Sequence, residues 1–193
     1  TKKLNLLAET KGLPADKFDQ IWQDKQKATF GLIPNAPKNM SIQYIVVQLK
    51  RRGWKVAVAS NSIRETVRIA LDHIGILNSV DYYVSNEDVF RAKPFPEMYW
   101  KCMTALNCLP KDTIIVEDSH IGREGAINSG AHLYPVKDAY ELNGNRFIDM
   151  IEEFERQDMS KNIPWRNKKM NVLIPMAGAG SRFANAGYTF PKP

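Results

Sequence analysis

Polar side chains follow two short apolar segments of this sequence, where strands of a buried sheet would end. Ser60 and Asn61 follow VAVA, and Glu117 and Asp118 follow TIIV. A hydroxyl beside the start of a helix suits an anion, because the first backbone N–H groups of a helix have no partner within it. Two adjacent carboxylates repel each other, and a bound Mg²⁺ ion would relieve that repulsion. The pattern therefore predicts a phosphate held against a cation.

A single lysine, Lys93, lies between these two groups in the segment RAKPFPEMY. A residue before proline favours extended backbone, which predicts that Lys93 lies on a loop and directs its ammonium at a pocket. Taken alone, such a lysine is usually a surface charge, a serine after a strand is usually a helix cap, and the acidic pair could balance a helix dipole. Together the three groups predict phosphoryl transfer that depends on placement and charge neutralisation.

Alternating strands and helices must position these groups. Continuous apolar runs at residues 54–59, 82–85, 113–116 and 131–136 predict strands, and helical spacing of apolar residues between them predicts helices. Strands that are apolar throughout and are joined by helices indicate a parallel sheet covered on both faces. The predicted fold class is therefore α/β, with ligands at the carboxyl ends of the strands.

Signals for helix boundaries refine this outline. Asn39 is placed to cap the helix before the first predicted strand, and Ser62 with Glu65 has the spacing of a capping box for the helix after it. The residues before Asn39 have a different pattern: residues 2–30 have helical spacing throughout, and the segment GLIPNAPK at 31–38 combines two prolines with a glycine. This segment predicts a hinge or domain boundary.

Three strings of the sequence together resemble a known family. VAVASN, AKPFPEMY and IIVEDSHIGREGAINSGAH resemble the second, third and fourth motifs of the haloacid dehalogenase-like superfamily, in particular its β-phosphoglucomutase-like branch with a helical cap. The resemblance covers roughly residues 1–156 and implies a Rossmann-like parallel sheet plus a partial helical cap. It also implies a small phosphorylated substrate and Mg²⁺ as cofactor. In this family's terms Ser60, Asn61 and Lys93 would bind the phosphoryl group, and Glu117 and Asp118 would help hold the metal. Lys93 would also be catalytic, because its charge would neutralise both the phosphoryl group and the nucleophile.

One motif of the family does not occur in this sequence. The superfamily's first motif, DxD, supplies the nucleophilic aspartate and follows the first core strand, but no DxD string is present. The resemblance implies that this motif and its strand lie upstream of Thr1, so this polypeptide alone is predicted to hydrolyse no phosphoester. Phosphatase and phosphomutase share the motifs that are present, and both stay open. A binding module that has lost its nucleophile is a third, non-catalytic alternative.

The C-terminal part carries a second signal. The apolar run NVLI at 171–174 is followed by PMAGAGSRF and GYTFPKP, and a strand that opens into a glycine-rich turn lets backbone N–H groups approach phosphates closely. The whole string resembles the start of sugar-1-phosphate nucleotidyltransferases. The resemblance implies a bifunctional parent protein, a sugar phosphate as substrate of the first part, and a nucleoside triphosphate as partner of the second. Its predicted contacts are Gly178, Gly180, Ser181, Arg182 and Lys192.

These patterns divide the chain into four parts. We expect a partial helical cap at residues 1–33, a core like that of the haloacid dehalogenases at 34–158, a linker at 159–169, and the truncated start of a nucleotidyltransferase domain at 170–193.

Composition limits the other function classes. Lys and Arg exceed Asp and Glu by only 27 to 21, and the basic residues are scattered, so we expect no nucleic-acid partner. No apolar run approaches the ~18 residues of a membrane span, so no membrane partner is expected. Cys102 and Cys108 have neither disulfide nor zinc-site spacing, which predicts a reducing cytoplasm.

Overall fold

The protein alternates helices and strands along most of its length. The computed structural model describes residues 2–139, 141–159 and 171–175. The helices are α1 (Lys2–Lys11), α2 (Phe18–Leu32), α3 (Met40–Arg51), α4 (Arg64–Ile74), α5 (Glu97–Leu106), α6 (His120–Ser129) and α7 (Gly144–Met159). The strands are β1 (Lys55–Ala59), β2 (Tyr82–Val84), β3 (Thr113–Glu117), β4 (His132–Pro135) and β5 (Asn171–Pro175).

All five strands form one parallel sheet in the order β2-β1-β5-β3-β4. Each predicted strand is present to within two residues at either end, and helices connect the strands as predicted. The α/β fold class is therefore confirmed. Because every strand runs in the same direction, the carboxyl ends of β1, β2 and β3 lie along one edge of the sheet, which is where such sheets bind ligands.

Strand β5 occupies the centre of the sheet, a position that the sequence did not predict. Its residues pair in parallel with β1 on one side and with β3 on the other, and Val172 is fully buried. Without β5, the backbone N–H and C=O groups of β1 and β3 that face each other would have no hydrogen-bond partner. An apolar run such as NVLIP suits any buried parallel strand, so it can fill this position. The sequence predicted a core without its first strand and placed 171–175 in a second domain. In the structure these five residues belong to the core sheet, while the four-part division of the chain stays a prediction.

Two hydrophobic clusters cover the two faces of the sheet. Helices α3, α4 and α7 pack on one face, and α5 and α6 pack on the other. The aliphatic cluster of the first face comprises Ile42, Ile45, Val46, Leu49, Trp54, Val56, Val58, Val67, Leu71, Ile74, Ile76, Ile114, Val116, Val136, Leu142, Phe147, Ile148, Ile151 and Val172. The mixed cluster of the second face comprises Ala57, Ala59, Val84, Met98, Tyr99, Cys102, Met103, Leu106, Ile115 and Ala126.

One of the two predicted helix caps forms. Asn39 caps α3, since its side-chain oxygen accepts hydrogen bonds from two backbone N–H groups of the first turn. The capping box predicted for Ser62 and Glu65 is wrong. Helix α4 begins at Arg64, whose backbone N–H donates to the carboxylate of Glu87 instead. A residue distant in sequence therefore accepts a hydrogen bond at the start of the helix, where the local pattern predicted Ser62 to do so.

The first two helices bury little surface. Gln26 and Thr29 are the buried residues of α2, and the Trp22 side chain is 46% exposed. The connection to α3 is held at Ala36, whose carbonyl lies 2.8 Å from Nε2 of His73. Residues 31–38 were predicted as a hinge; here 31–32 still belong to α2 and 33–35 form a short 3-10 helix. Within the described residues, no helix has both the length and the apolar character that a membrane span requires.

Candidate functional site

The loop after β1 brings Ser60 to the carboxyl edge of the sheet. The backbone N–H of Ser60 donates to the carbonyl of Val84 at 3.0 Å, which ties this loop to the end of β2. Its Oγ accepts a hydrogen bond from the N–H of Ser62 at 3.2 Å, and the residue is almost completely buried. A hydroxyl that accepts one hydrogen bond still has its own hydrogen to donate. Ser60 is thus positioned to donate to a ligand oxygen at this edge.

Asn61 and Lys93 hold each other across the two loops of the site. The backbone N–H of Lys93 donates to Oδ1 of Asn61 at 3.2 Å, and Nδ2 of Asn61 lies 3.5 Å from the carbonyl of Lys93. The Lys93 ammonium lies between the carboxyl ends of β1 and β3. There it donates to the carbonyl of Ala59 at 3.1 Å and to Oε2 of Glu117 at 2.8 Å. The sequence predicted an ammonium pointing freely into a pocket; the structure shows an ion pair whose side chains are only 5% and 2% exposed.

The loop that carries Lys93 is fixed by two carboxylates. Glu97 accepts hydrogen bonds from the backbone N–H groups of Phe90 and Arg91, both at 2.9 Å, and these bonds hold the pKa of Glu97 below its usual range. Asp88 accepts from both the N–H and the hydroxyl of Ser85 at 2.7 Å. The backbone that leads into the lysine is therefore held in place by carboxylates of the chain itself.

Glu117 is enclosed by donors on every side. Successive side chains of a strand point to opposite faces, so Glu117 points to the same face as Ile115, the face covered by α5 and α6. Its Oε2 accepts from Nζ of Lys93 and from the hydroxyl of Tyr99, each at 2.8 Å. Its Oε1 accepts from the hydroxyl of Ser119 at 2.8 Å and from the N–H of Ser119 at 3.2 Å. An ionised carboxylate has about four acceptor positions, and all four are occupied here.

The pKa values of Glu117 and Asp118 are shifted in opposite directions. Burial would raise the pKa of Glu117, but the charge of Lys93 and the hydrogen bonds to Lys93, Ser119 and Tyr99 outweigh it, so this pKa lies below its usual range. The pKa of Asp118 is raised, first by burial and then by repulsion from Glu117. Asp118 is therefore the member of the pair whose charge its neighbours compensate less.

This imbalance fits a magnesium ion. Mg²⁺ is usually held by one or two carboxylates together with phosphate and water. In the described part of the chain, no cluster of three or more His, Cys, Asp or Glu side chains that could hold a metal ion is present, and Glu117 and Asp118 are the acidic pair at the end of β3. Because the oxygens of Glu117 are taken by its neighbours, the group suited to direct contact with the ion is Asp118.

A glycine of α6 makes room for Glu117. A Cβ atom built on Gly122 would lie 2.0 Å from Cδ of Glu117, much closer than two carbon atoms can approach. The N–H of the same glycine donates to Oγ of Ser119, which caps the helix. The start of α6 therefore packs directly on the carboxylate, and only a residue without a side chain fits there.

The sequence-predicted residues of the first site meet at one edge of the sheet. Ser60, Asn61, Lys93 and Glu117 are linked by direct contacts or through their immediate neighbours, and Asp118 follows Glu117 in the chain. Their predicted roles in binding and catalysis stay predictions. The residues predicted to bind a nucleotide all lie outside the described residues: Gly178, Gly180, Ser181, Arg182 and Lys192.

The sequence missed three residues that build this site: Tyr99, Ser119 and Gly122. A signal existed for Tyr99, since it lies among the apolar positions of a predicted helix and a buried phenol usually finds a hydrogen-bond partner. Ser119 directly follows the acidic pair and has the residue type of a helix cap. For Gly122 the composition of the helix gave no indication of which glycine touches a carboxylate.

Comparison with known proteins identifies the family. A profile described as haloacid dehalogenase-like hydrolase matches residues 15–136, which is more than half of the chain. The chain belongs to this family. The match includes every described residue of the site, from Ser60 to Asp118.

Curated relatives are similar over part of their length. A pyrophosphatase PpaX of Bacillus cereus is 29% identical over 120 residues, which are 62% of this chain and 55% of that protein. An uncharacterised protein of Haemophilus influenzae is 25% identical over 125 residues, 65% of this chain and 62% of that protein. The chain thus spans little more than half the length of these relatives.

Solved structures support the fold. A β-phosphoglucomutase of Clostridium difficile superposes with a TM-score of 0.63 at 17% identity, over 80% of this chain and 78% of that chain. A structure described as a putative phosphoglycolate phosphatase of Lactobacillus plantarum has a TM-score of 0.62 at 13% identity, over 77% and 76%. Both confirm the parallel core and the helical cap that the sequence predicted.

Proposed function

We propose that this chain provides the phosphoryl-binding and cation-binding part of a Mg²⁺-dependent phosphatase or phosphomutase that acts on a small phosphorylated metabolite. The observation that carries the proposal is the buried Lys93–Glu117 ion pair at 2.8 Å, held between the Ser60 loop and the acidic end of β3. A structural ion pair could lie anywhere in the molecule. This one lies at the carboxyl edge of the sheet, beside a hydroxyl and a second carboxylate.

The chemistry of the individual residues suits an anionic group. An ammonium has three N–H donors, and two of those on Lys93 are used by Glu117 and Ala59. The third is left for a phosphoryl oxygen, whose negative charge the ammonium offsets. The Ser60 hydroxyl and the Asn61 amide would orient further oxygens. Since these donors are fixed before binding, they would stabilise charge in the transition state with little reorganisation.

Magnesium is proposed as the cofactor, with Asp118 as its direct carboxylate and Glu117 as a nearby negative charge. When bound, the ion would neutralise phosphoryl oxygens and balance the acidic pair. The nucleophile of the reaction is assigned by resemblance to an aspartate in a DxD motif, and the sequence printed above contains no such motif. The described residues would bind and orient the phosphoryl group, and the resemblance assigns its acceptance to that aspartate.

A sugar phosphate is proposed as the substrate, with a nucleoside triphosphate as the partner of a second activity. What supports this proposal is the C-terminal string PMAGAGSRF…GYTFPKP, which resembles the start of sugar-1-phosphate nucleotidyltransferases. In this second candidate function the parent protein is bifunctional, and the part described here assists nucleotidyl transfer or acts only as a binding module. A reducing cytoplasm stays the proposed compartment, since Cys102 and Cys108 are both free thiols.

A direct test is titration of the purified chain with inorganic phosphate in the presence and absence of Mg²⁺, followed by calorimetry or NMR. We expect phosphate binding that Mg²⁺ strengthens, a loss of phosphate binding in Lys93→Met, and a loss of the Mg²⁺ effect in Asp118→Asn. A substitution outside the site, Lys111→Met, is the matched control and should leave both unchanged. Equal phosphate binding by the wild type and Lys93→Met would overturn the proposal, as would turnover of an aryl phosphate by this chain alone.

A further inference from the structure

Tyr99 contacts both members of the buried ion pair. Its hydroxyl lies 2.8 Å from Oε2 of Glu117, and Nζ of Lys93 lies 5.0 Å from the centroid of its ring. The hydroxyl also lies 3.1 Å from the carbonyl of Gly122. A phenol has one hydrogen to donate, and the carboxylate is both closer and charged, so the hydrogen goes to Glu117. The ring offers its negative face to the ammonium at a distance typical of a cation–π contact.

The position of Tyr99 is determined on several sides. It lies in the first turn of α5 and is fully buried within the mixed cluster. A Cβ atom built on Gly125 of α6 would lie 3.1 Å from Cε2 of this ring, so α6 approaches the tyrosine as closely as a glycine allows. The ring therefore cannot swing away from the ion pair without moving a helix. A buried phenol held in this way acts as a fixed donor.

This contact determines where Glu117 can point. Oε2 accepts hydrogen bonds from Tyr99 and Lys93, and Oε1 accepts two from Ser119, one from its N–H and one from its hydroxyl, so both carboxylate oxygens are held. Because the carboxylate is held in place, it fixes the position of the Lys93 ammonium that pairs with it. The direction of the remaining N–H donor of Lys93 is thereby fixed as well. Without the phenol hydrogen, Oε2 would have Lys93 as its sole donor, and the ammonium would be drawn further toward Glu117.

We propose that Tyr99 is a positioning residue that fixes the Glu117 carboxylate and thereby aims the Lys93 ammonium at the phosphoryl group. The part of this inference that concerns a phosphoryl ligand rests on the proposed function. The part that concerns the ion pair stands on the contacts alone. Tyr99 does not touch the ligand; it acts through Glu117 and Lys93, as the outer partners of a site commonly do.

The test is Tyr99→Phe, which deletes the hydroxyl and keeps the ring over Lys93. Tyr82→Phe is the matched control, because Tyr82 packs against the same mixed cluster but lies at the start of β2, away from the carboxyl edge. The first readout is the Nζ signal of Lys93 in a proton–nitrogen spectrum at fixed pH, assigned by its loss in Lys93→Met. We expect this signal to shift and its protons to exchange faster in Tyr99→Phe, and to stay unchanged in Tyr82→Phe.

The second readout is the affinity for inorganic phosphate at a saturating Mg²⁺ concentration. We expect about a tenfold loss in Tyr99→Phe and none in Tyr82→Phe. An unchanged Lys93 signal in Tyr99→Phe, or an equal change in both variants, overturns the positioning role. If the wild type fails to bind phosphate, the proposed function falls, and the Lys93 signal still decides whether Tyr99 holds the pair.

Discussion

The two faces of the sheet are packed in different ways. The aliphatic cluster is built mainly from branched side chains, and strands β1 and β3 contribute Val56, Val58 and Ile114 to it. In the mixed cluster the same β1 strand contributes Ala57 and Ala59, and the covering helix α5 contributes Met98, Met103 and Tyr99. Small side chains on the strand let α5 and α6 approach closely, and the charged pair lies at the end of this second face.

This difference shows how the fold accommodates a buried charge. Branched aliphatic residues fill one face with apolar surface, each fully buried side chain contributing roughly 1.5–3 kcal/mol to stability. The other face encloses two ionised groups, whose attraction repays their desolvation only when the geometry is good and the remaining hydrogen bonds are made. The first face stabilises the sheet, and the second holds the site. The following substitutions test this division, from the largest expected effect to the smallest.

The largest effect is expected from Glu117→Gln on the mixed face. Removing one partner of a buried ion pair leaves the charge of Lys93 without compensation, which costs about 3–5 kcal/mol. The free energy of unfolding, measured with urea at pH 7, should fall by this amount. The double variant Glu117→Gln with Lys93→Met should recover part of the loss, because no buried charge is left.

The pH dependence of the same variant has a defined sign. The pKa of Glu117 is lowered from 4.5 in the folded protein, so between its folded and unfolded pKa values the unfolded state binds more protons. The stability from this group is therefore present above about pH 4.5 and is lost as the pH falls through the folded pKa. The gap between wild type and Glu117→Gln should narrow below pH 4.5. A constant gap down to pH 3 would contradict the ion pair.

On the aliphatic face, Leu71→Ala should reduce stability without affecting the site. Leu71 is fully buried, and loss of its side chain leaves a cavity that costs about 2–5 kcal/mol. Urea unfolding measures the loss, and the Nζ signal of Lys93 should not move. Leu109→Ala is the matched control, because it makes the same substitution at a side chain that is 45% exposed. It should change the free energy of unfolding by less than about 0.5 kcal/mol. A moved Lys93 signal in Leu71→Ala would mean that the two faces are not independent.

Two glycine-to-alanine changes separate steric contact from helix propensity. Gly122→Ala should destabilise the protein by about 1–3 kcal/mol, because the new Cβ would overlap Glu117. Gly31→Ala should stabilise it by up to about 1 kcal/mol, since Gly31 lies within α2 and no atom lies within 4 Å of its added Cβ. Thermal unfolding compares the two. Equal shifts of the same sign would show that Glu117 does not pack against α6.

The smallest effect is expected from Asp118→Asn, and it should be stabilising. The pKa of Asp118 is raised in the folded protein, so stability from this group falls as the pH rises from its unfolded value through its folded one. Removing the charge should raise the free energy of unfolding at pH 7 by about 1 kcal/mol or less, since solvent screens a half-buried group. The measurement is urea unfolding without Mg²⁺. Destabilisation would show that Asp118 already has a cationic partner in the chain.

Much of this architecture was accessible from the amino-acid sequence. Apolar runs located all five strands because buried parallel strands are apolar throughout. The polar residues at the carboxyl ends of β1 and β3 then led to Ser60 and Glu117. Period-two alternation within TIIVE also indicates that the side chains of Glu117 and Ile115 lie on the same face of the sheet. The Glu117 and Asp118 carboxylates, however, were predicted to act alike. They differ because one points into the covered face and the other leaves the strand.

The remaining features depend on contacts between distant segments. The central position of β5 could not be predicted, since an apolar run such as NVLIP carries no information about which strands flank it. The role of Tyr99 depends on the distance between α5 and the end of β3, which is set by glycines on a third element. The capping box predicted at Ser62 also fails because of a distant segment: Glu87, on another loop, accepts the hydrogen bond at the start of α4.

The central strand has a consequence for how the molecule is assembled. During synthesis on the ribosome, β1 to β4 and the helices between them emerge long before residues 171–175, which must then enter between β1 and β3. Such late, long-range pairing slows folding, because the entropy of closing a long loop is lost before the contacts are gained. Until then the nascent sheet keeps two open strand edges, which a chaperone or another chain could occupy.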